Sequence, residues 1–199
     1  MNKVTYDGED VVFEGPCPDT IESLVTIFTG AATSKGKMLL SVKVNGQEVL
    51  GKKLNLILEK DMRVDVKSGS QKELFLLAIN STLVSLSDSN AAIDPLLESL
   101  LCESWPDAFG KLNGFMRGLA PLLELMSNLS RYAKDHPVAW GLELEKHIAV
   151  FNEHLKKILS FSERQQIADL ASQLNFEFRP SYAALLLFVG TTVRNSFQG

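Results

Sequence analysis

In short stretches between Val4 and Val66 (Val4 and Tyr6; Leu40, Val42 and Val44; Met62, Val64 and Val66) apolar positions recur at every second residue, the period of a half-buried strand, with one helical stretch among them. Val4 and Tyr6 flank Thr5, and Asp7-Gly8 separates them from Val11-Val12-Phe13. Asp-Gly between short apolar runs predicts a two-residue hairpin, because a type I′ turn needs positive φ at both central residues. Pro16-Cys17-Pro18 breaks the strand. Asp19, with Glu22 three residues on, predicts a capped helix start. Ile21, Leu24, Val25 and Phe28 share one face of that helix, and Gly30 is placed to stop it. Leu40, Val42 and Val44 predict a strand over Met38 to Val44. Asn45-Gly46 predicts a second type I′ turn leading into Glu48-Val49-Leu50. Met62, Val64 and Val66 alternate with charged residues as a last strand. Leu54 to Leu58 reads equally as a short strand or a turn of helix.

From Gln71 the period becomes helical. Leu74, Leu77, Ala78 and Ser81 can face one way in a first helix, with Leu76, Ile79 and Leu83 beside them. Ser87-Asp88-Ser89-Asn90 is a loop. Asp94-Pro95 opens a second helix, with proline where its missing N–H does no harm. Leu96, Leu97, Leu100 and Leu101 give that helix a core face. Ser104 and Asp107 open a third helix as a capping box, and Asp135-His136-Pro137 opens a fourth that runs to about Leu159. Ser162 with Gln165 caps a fifth, and Pro180 opens a sixth. No hairpin signal recurs.

The expected fold class is therefore α+β: a sheet-and-helix domain over residues 1–69, then an all-α bundle of about five or six helices over residues 70–199. Ser68-Gly69-Ser70 is the candidate linker. Three segments, in this order and spacing, carry a resemblance: Pro18-Asp19-Thr20-Ile21-Glu22-Ser23-Leu24, Val42-Lys43-Val44-Asn45-Gly46-Gln47-Glu48-Val49 and Met62-Arg63-Val64-Asp65-Val66. With them the N-terminal third resembles a ubiquitin-like β-grasp domain. The resemblance implies one helix packed over a small sheet that offers a surface to protein partners. It carries no catalytic residue across. Conjugated and sulfur-carrying members end in Gly-Gly, whereas this chain ends Ser196-Phe197-Gln198-Gly199, so carrier chemistry is not expected.

Lys plus Arg is 20 and Asp plus Glu is 24, a net charge of −4. Residues 1–70 hold 9 basic and 10 acidic side chains and residues 71–199 hold 11 and 14, so neither half concentrates charge. The longest basic runs are the pairs Lys52-Lys53 and Lys156-Lys157, which gives no phosphate-binding cluster and excludes nucleic acid as an expected partner. The two cysteines, Cys17 and Cys102, form neither a disulfide framework nor a zinc motif and suit a reducing compartment. The start Met1-Asn2-Lys3-Val4-Thr5-Tyr6 lacks the regions of a signal peptide, and the longest apolar run, Ala183 to Val189, is far short of a membrane span. A cytoplasmic protein with no membrane association is expected.

Gly110, Gly114 and Gly118 recur every four residues and so share one stripe of a helix. Each costs about 1 kcal/mol relative to alanine, so the row needs an offsetting cause. Close helix–helix packing, a groove for a ligand or peptide, or a broken helix around Gly110 would supply one. Leu185, Leu186, Phe188 and Val189 belong to a helix that is apolar all round. That makes it either the central helix of the bundle or a self-association surface, with a homodimer as the consequence.

Other candidates carry less. Glu143, His147 and His154 share a helix, but seven residues span about 10.5 Å, too far for both histidines to hold one ion easily. Solvated residues on an amphipathic helix are expected there. Cys17 precedes a helix start, where a thiol can be activated, but no pairing base is evident. Gly30 to Lys37 approximates a phosphate loop with its glycines one residue too far apart, and reads as a mobile loop. Asp135-His136 lacks the nucleophile elbow a triad would need.

No cofactor or metal is expected. The expected function is a non-enzymatic interaction or adaptor protein with a protein partner. The alternatives are a small-molecule-binding protein or enzyme with a pocket in the bundle or between domains, and a helical chaperone.

Overall fold

A computed structural model describes residues 3–50, 57–58 and 61–198. The chain divides into two compact units, Met1–Leu77 and Ala78–Gly199. The class is α+β, a small mixed sheet followed by helices, and this is compatible with a β-grasp-like start.

In the first unit β1 (Lys3–Tyr6) turns at Asp7-Gly8 into β2 (Glu9–Asp10), with φ of 52° and 90° at the turn. That is the type I′ geometry the dipeptide predicts. The strand beyond is shorter than its apolar run: Val12 is 91% exposed, while Val11 and Phe13 pack on the core. Helix α1 (Ile21–Thr33) is capped one residue later than Asp19, because the Thr20 hydroxyl accepts the Ser23 N–H at 3.2 Å. It also runs through Gly30. The chain leaves the helix at Gly36, whose φ of 66° lets the Lys37 N–H reach the Ala32 carbonyl at 2.9 Å and the Gly36 N–H reach that of Thr33 at 2.9 Å. Most of Gly30 to Lys37 is thus a helix end closed by hydrogen bonds.

Strand β3 (Met38–Val44) turns at Asn45-Gly46 into β4 (Gln47–Glu48), and β5 (Arg63–Gly69) completes a five-stranded sheet of order β2-β1-β5-β3-β4. β1 lies parallel to β5, and the other pairings are antiparallel. The expected face of β3 is corrected by a bulge. Leu39 pairs with Ser68 and Ser41 with Lys67, so Leu40 is an extra residue. The alternation slips there, and Leu39 joins Val42 and Val44 on the core side. Ile21, Leu24 and Phe28 of α1 close that core over Val4, Val42, Val64 and Val66, with the Tyr6 ring stacked on Phe28 at 5.1 Å. Side chains buried this fully contribute about 1.5–3 kcal/mol each. Of the ambiguous segment, Ile57 bridges to Thr20 and Leu58 is buried; Leu54 to Leu56, and the Lys52-Lys53 pair, lie outside the described residues.

Ser68 and Gly69 finish β5 instead of forming a linker, and Ser70 starts α2 (Gln71–Ser85) directly. The Ser70 N–H donates to the Glu73 carboxylate at 2.7 Å and the Glu73 N–H to the Ser70 hydroxyl at 3.2 Å, a complete capping box. The unit boundary falls inside α2, after Leu77.

The helical unit continues with α3 (Ile93–Cys102), α4 (Trp105–Gly118), α5 (Ala120–Asp135) and α6 (Gly141–Glu163). A continuous C-terminal run follows: α7 (Ile167–Ser172), a π segment (Gln173–Phe178), α8 (Arg179–Phe188), a second π segment (Val189–Val193) and α9 (Arg194–Gln198). Several expected boundaries and faces move. α2 buries Ile79 and Thr82, leaving Leu77 exposed, and α3 leaves Leu101 exposed. One expected helix is two, parted at Leu119 with Pro121 just inside α5. α6 opens at Gly141, and His136 instead caps α5. Ser162 is buried inside α6, where its hydroxyl donates to the Leu159 carbonyl. Pro180 sits inside the C-terminal run. It has no N–H to give and crowds the carbonyl four residues back; the wider π turn lies directly ahead of it, with the Arg179 N–H reaching the Leu174 carbonyl.

The core of this unit centres on the rings of Phe151, Phe178 and Tyr182. Phe178 lies 5.5 Å from Phe151 and 5.4 Å from Tyr182, with Phe115 edge-on at 6.0 Å. The Tyr182 hydroxyl meets that of Ser89 at 2.5 Å, and Trp140 Nε1 donates to Ser196 Oγ at 2.8 Å. No helix of the described residues is long and apolar enough to cross a membrane.

Candidate functional site

The stripe Trp105, Phe109, Leu112 and Met116 recurs at four-, three- and four-residue steps, one face of α4. The start of that helix is tied down twice. The Ser104 hydroxyl donates to Asp107 at 2.5 Å. Glu103 binds both the Ser99 hydroxyl, at 2.6 Å, and Lys111, at 2.5 Å. Lys111 and then Ser99 hold the Glu103 carboxyl below its usual range.

Opposite this stripe stands the end of α6, with Ile158, Leu159, Ser162 and Glu163. Between them is a groove of about 300 Å³. Leu112 and Ile158 form its buried floor, Trp105 and Met116 are half-buried, and Phe109 and Leu159 stand 38% and 50% exposed at its edge. The Trp105 and Phe109 rings are 5.4 Å apart and tilted by 32°. Asn113, Glu163 and Gln165 give it a polar border. Chemically the groove offers aromatic and thioether surface, suited to taking up an apolar side chain.

The residues singled out by sequence lie elsewhere. Gly110, Gly114 and Gly118 are on one stripe of α4, as their spacing requires, but on its exposed side. A β-carbon at any of them would meet no atom within 4 Å. No helix of the described chain therefore packs closely on this row, and α4 is unbroken at Gly110. The glycines that are approached closely are Gly69, Gly141 and Gly190, by Leu40, Ala133 and Leu83.

Leu185 and Val189 are fully buried, Phe188 nearly so and Leu186 half-buried. Three of these four residues lie in the interior of the helical unit, and Leu187 is the exposed member of the run.

Of the two histidines on α6, one departs from the expected solvated state and the other is half-buried. His154 is buried, and Gln173 Nε2 meets its Nδ1 at 2.8 Å, while the His147 ring lies 4.7 Å from Phe188. Glu143 is exposed, and no cluster of metal-ligating side chains occurs among the described residues. Cys17 lies four residues ahead of α1. Burial, aided by the charge of Asp19, pushes its thiol up, the opposite of activation. His136 stacks on Tyr132 at 4.3 Å, beside the end of α5.

No family model, no curated protein and no solved structure matches the chain.

The groove residues escaped sequence reasoning, although a signal existed. Trp105, Phe109 and Met116 extend the spacing of Leu112, and Leu159 adjoins Ile158, so both helices carry an apolar face wider than one contact needs. Which edge of that face stays open depends on neighbours distant in sequence.

Proposed function

We propose that this protein is a non-enzymatic adaptor, with a ubiquitin-like β-grasp domain at its start and a helical unit that takes an apolar segment of a partner protein between α4 and α6. The observation that carries this reading is the open groove whose lining is tryptophan, phenylalanine, methionine and leucine. Tryptophan is enriched among the residues that dominate binding energy where proteins meet, phenylalanine and methionine are enriched at such surfaces, and leucine adds apolar area. The sheet order and single packed helix support the β-grasp part of the reading. The polar groups at the border, Asn113, Glu163 and Gln165, suit hydrogen bonds to a peptide.

The test compares the full chain with Phe109→Ser/Leu159→Ser, both exposed positions, in affinity capture from native lysate. The adaptor reading expects partner proteins held by the full chain and lost by the variant, with the two circular dichroism spectra superimposable. Native mass spectrometry of the purified chain supplies the opposing outcome: a tightly bound small molecule would overturn the reading in favour of a ligand-binding protein or enzyme.

A further inference from the structure

A second groove, of about 390 Å³, lies between α5 and α6. Leu123, Ser127, Arg131 and Lys134 fall on one stripe of α5, about 16 Å or three helical turns long. Met126 and Ile148 add apolar surface toward the Leu123 end, and Asn152 faces them from α6. The groove is thus graded along its length, apolar at one end and cationic at the other.

The cations are unengaged. Among the described residues neither Arg131 nor Lys134 takes part in an ion pair, as is true of most lysines and arginines of the chain; what sets these two apart is that they line one groove. On α6, Glu145 accepts the hydroxyl of Ser130, the residue before Arg131. The Ser127 hydroxyl and the Asn152 amide also make no hydrogen bond within the described chain, so both remain available to a ligand.

We propose that this groove docks an acidic amphipathic helix of a partner protein. The proposal rests on the adaptor reading and adds to it a second surface and the chemistry of what binds there. An apolar anchor of the incoming helix sits over Met126 and Ile148. Aspartate or glutamate one or two turns along pairs with Arg131 and Lys134, a charge-assisted contact that gives orientation and speeds encounter. A helix fits better than a small molecule. The groove is long, open to solvent and bordered by two packed helices, the geometry in which a third helix lays down its leucine stripe. A small ligand would need most of its surface enclosed.

The probe is a phage-displayed library of random 16-residue peptides selected against the full chain, with winners resynthesised and measured by fluorescence anisotropy. The expected winners carry leucine or phenylalanine at helical spacing together with Asp and Glu. Their affinity falls about tenfold or more for Arg131→Glu/Lys134→Glu and weakens with added salt. It is unchanged for Arg164→Glu, a charge reversal outside the groove. All four substituted positions are exposed, and circular dichroism confirms that each variant folds. Winners that bind the charge-reversed variant as well as the parent overturn the proposal. If those same winners are lost with Phe109→Ser, the adaptor reading survives through the other groove. If the library yields no binder, the assignment of this groove falls, while the adaptor reading still stands or falls on the capture experiment with Phe109→Ser/Leu159→Ser. Light scattering that shows a dimer dissolved by the charge reversal would place a second copy in the groove and overturn the assignment to a partner.

Discussion

The two units keep their polar groups in different places. In the sheet unit the core is apolar and the carboxylates work at its border. Asp7 takes the Ser68 N–H at 2.6 Å and its hydroxyl at 2.7 Å, and Glu48 takes the Ser41 hydroxyl and the Val42 and Leu50 N–H groups. In the helical unit polar side chains pair inside: His154 with Gln173, both buried, and buried Tyr182 with half-buried Ser89. Carboxylates at a border tie strand ends together and titrate with the solvent. A hydrogen-bonded pair inside a core answers to the removal of a partner. Acid is therefore the sharper probe of the first unit, and side-chain truncation that of the second.

The largest effect is expected from Phe178→Ala. The ring is fully buried among Phe151, Tyr182 and Phe115, and its loss leaves a cavity that rigid helices cannot fill. The expected cost is about 3–5 kcal/mol, read as lost hydrogen-exchange protection across α6 and α8. A cost under about 1 kcal/mol would mean that the ring cluster is not the centre of this unit.

Next comes the buried pair. Gln173→Leu leaves His154 Nδ1 without its donor, at a cost of about 1–3 kcal/mol. His154→Leu/Gln173→Leu removes both partners, so its cost should fall well short of the sum of the single changes in a denaturant double-mutant cycle. Strict additivity would break the picture of a sealed polar pair.

The same contrast explains what could be read from the sequence. The turns Asp7-Gly8 and Asn45-Gly46, the buried row Ile21, Leu24 and Phe28, the strand ending at Val44 and the alternation through Val64 and Val66 were all legible, because residues near in sequence determine them. The Leu40 bulge was not, since it arises from pairing with β5, distant in the chain. Helical spacing located the helices but not their inward faces. Leu77 and Leu101 look as buried as Ile79 and Leu100, and only packing partners decide between them. The groove along Trp105, Phe109 and Met116 was hidden for that reason. The row at Gly110 drew attention because its cost is local, yet nothing in the described chain offsets it.

That row gives a stabilising prediction. Gly110→Ala/Gly114→Ala adds methyl groups where nothing lies within 4 Å. Each should raise the stability of the helical unit by about 1 kcal/mol, seen as a higher urea midpoint. A lower midpoint would mean that something packs on this stripe, and would reopen the close-contact explanation.

The smallest effect tests the border carboxylates and turns on sign. Burial works to raise the Glu48 carboxyl. The Ser41 hydroxyl at 2.5 Å, the Val42 N–H at 2.9 Å, the Leu50 N–H at 3.2 Å and the charge of Lys43 outweigh it and hold the carboxyl below its ordinary value. A carboxyl held lower in the folded state favours folding wherever the unfolded chain would bind the proton more readily. Its contribution is complete above the ordinary glutamate value of about 4.3 and fades as pH falls from there through the lower folded-state value. Glu48→Gln keeps the size of the side chain but turns an acceptor-only group into one that also donates, toward two N–H donors and a hydroxyl. At pH 7 it should cost about 1 kcal/mol, read from the exchange protection of β3. Between pH 4 and pH 2 the variant and the parent should converge as the parent loses its charge. A gap that persists unchanged to pH 2 would show that Glu48 acts by packing, and the contrast between a titrating border and a sealed interior would fail at the residue where it is most exposed to test.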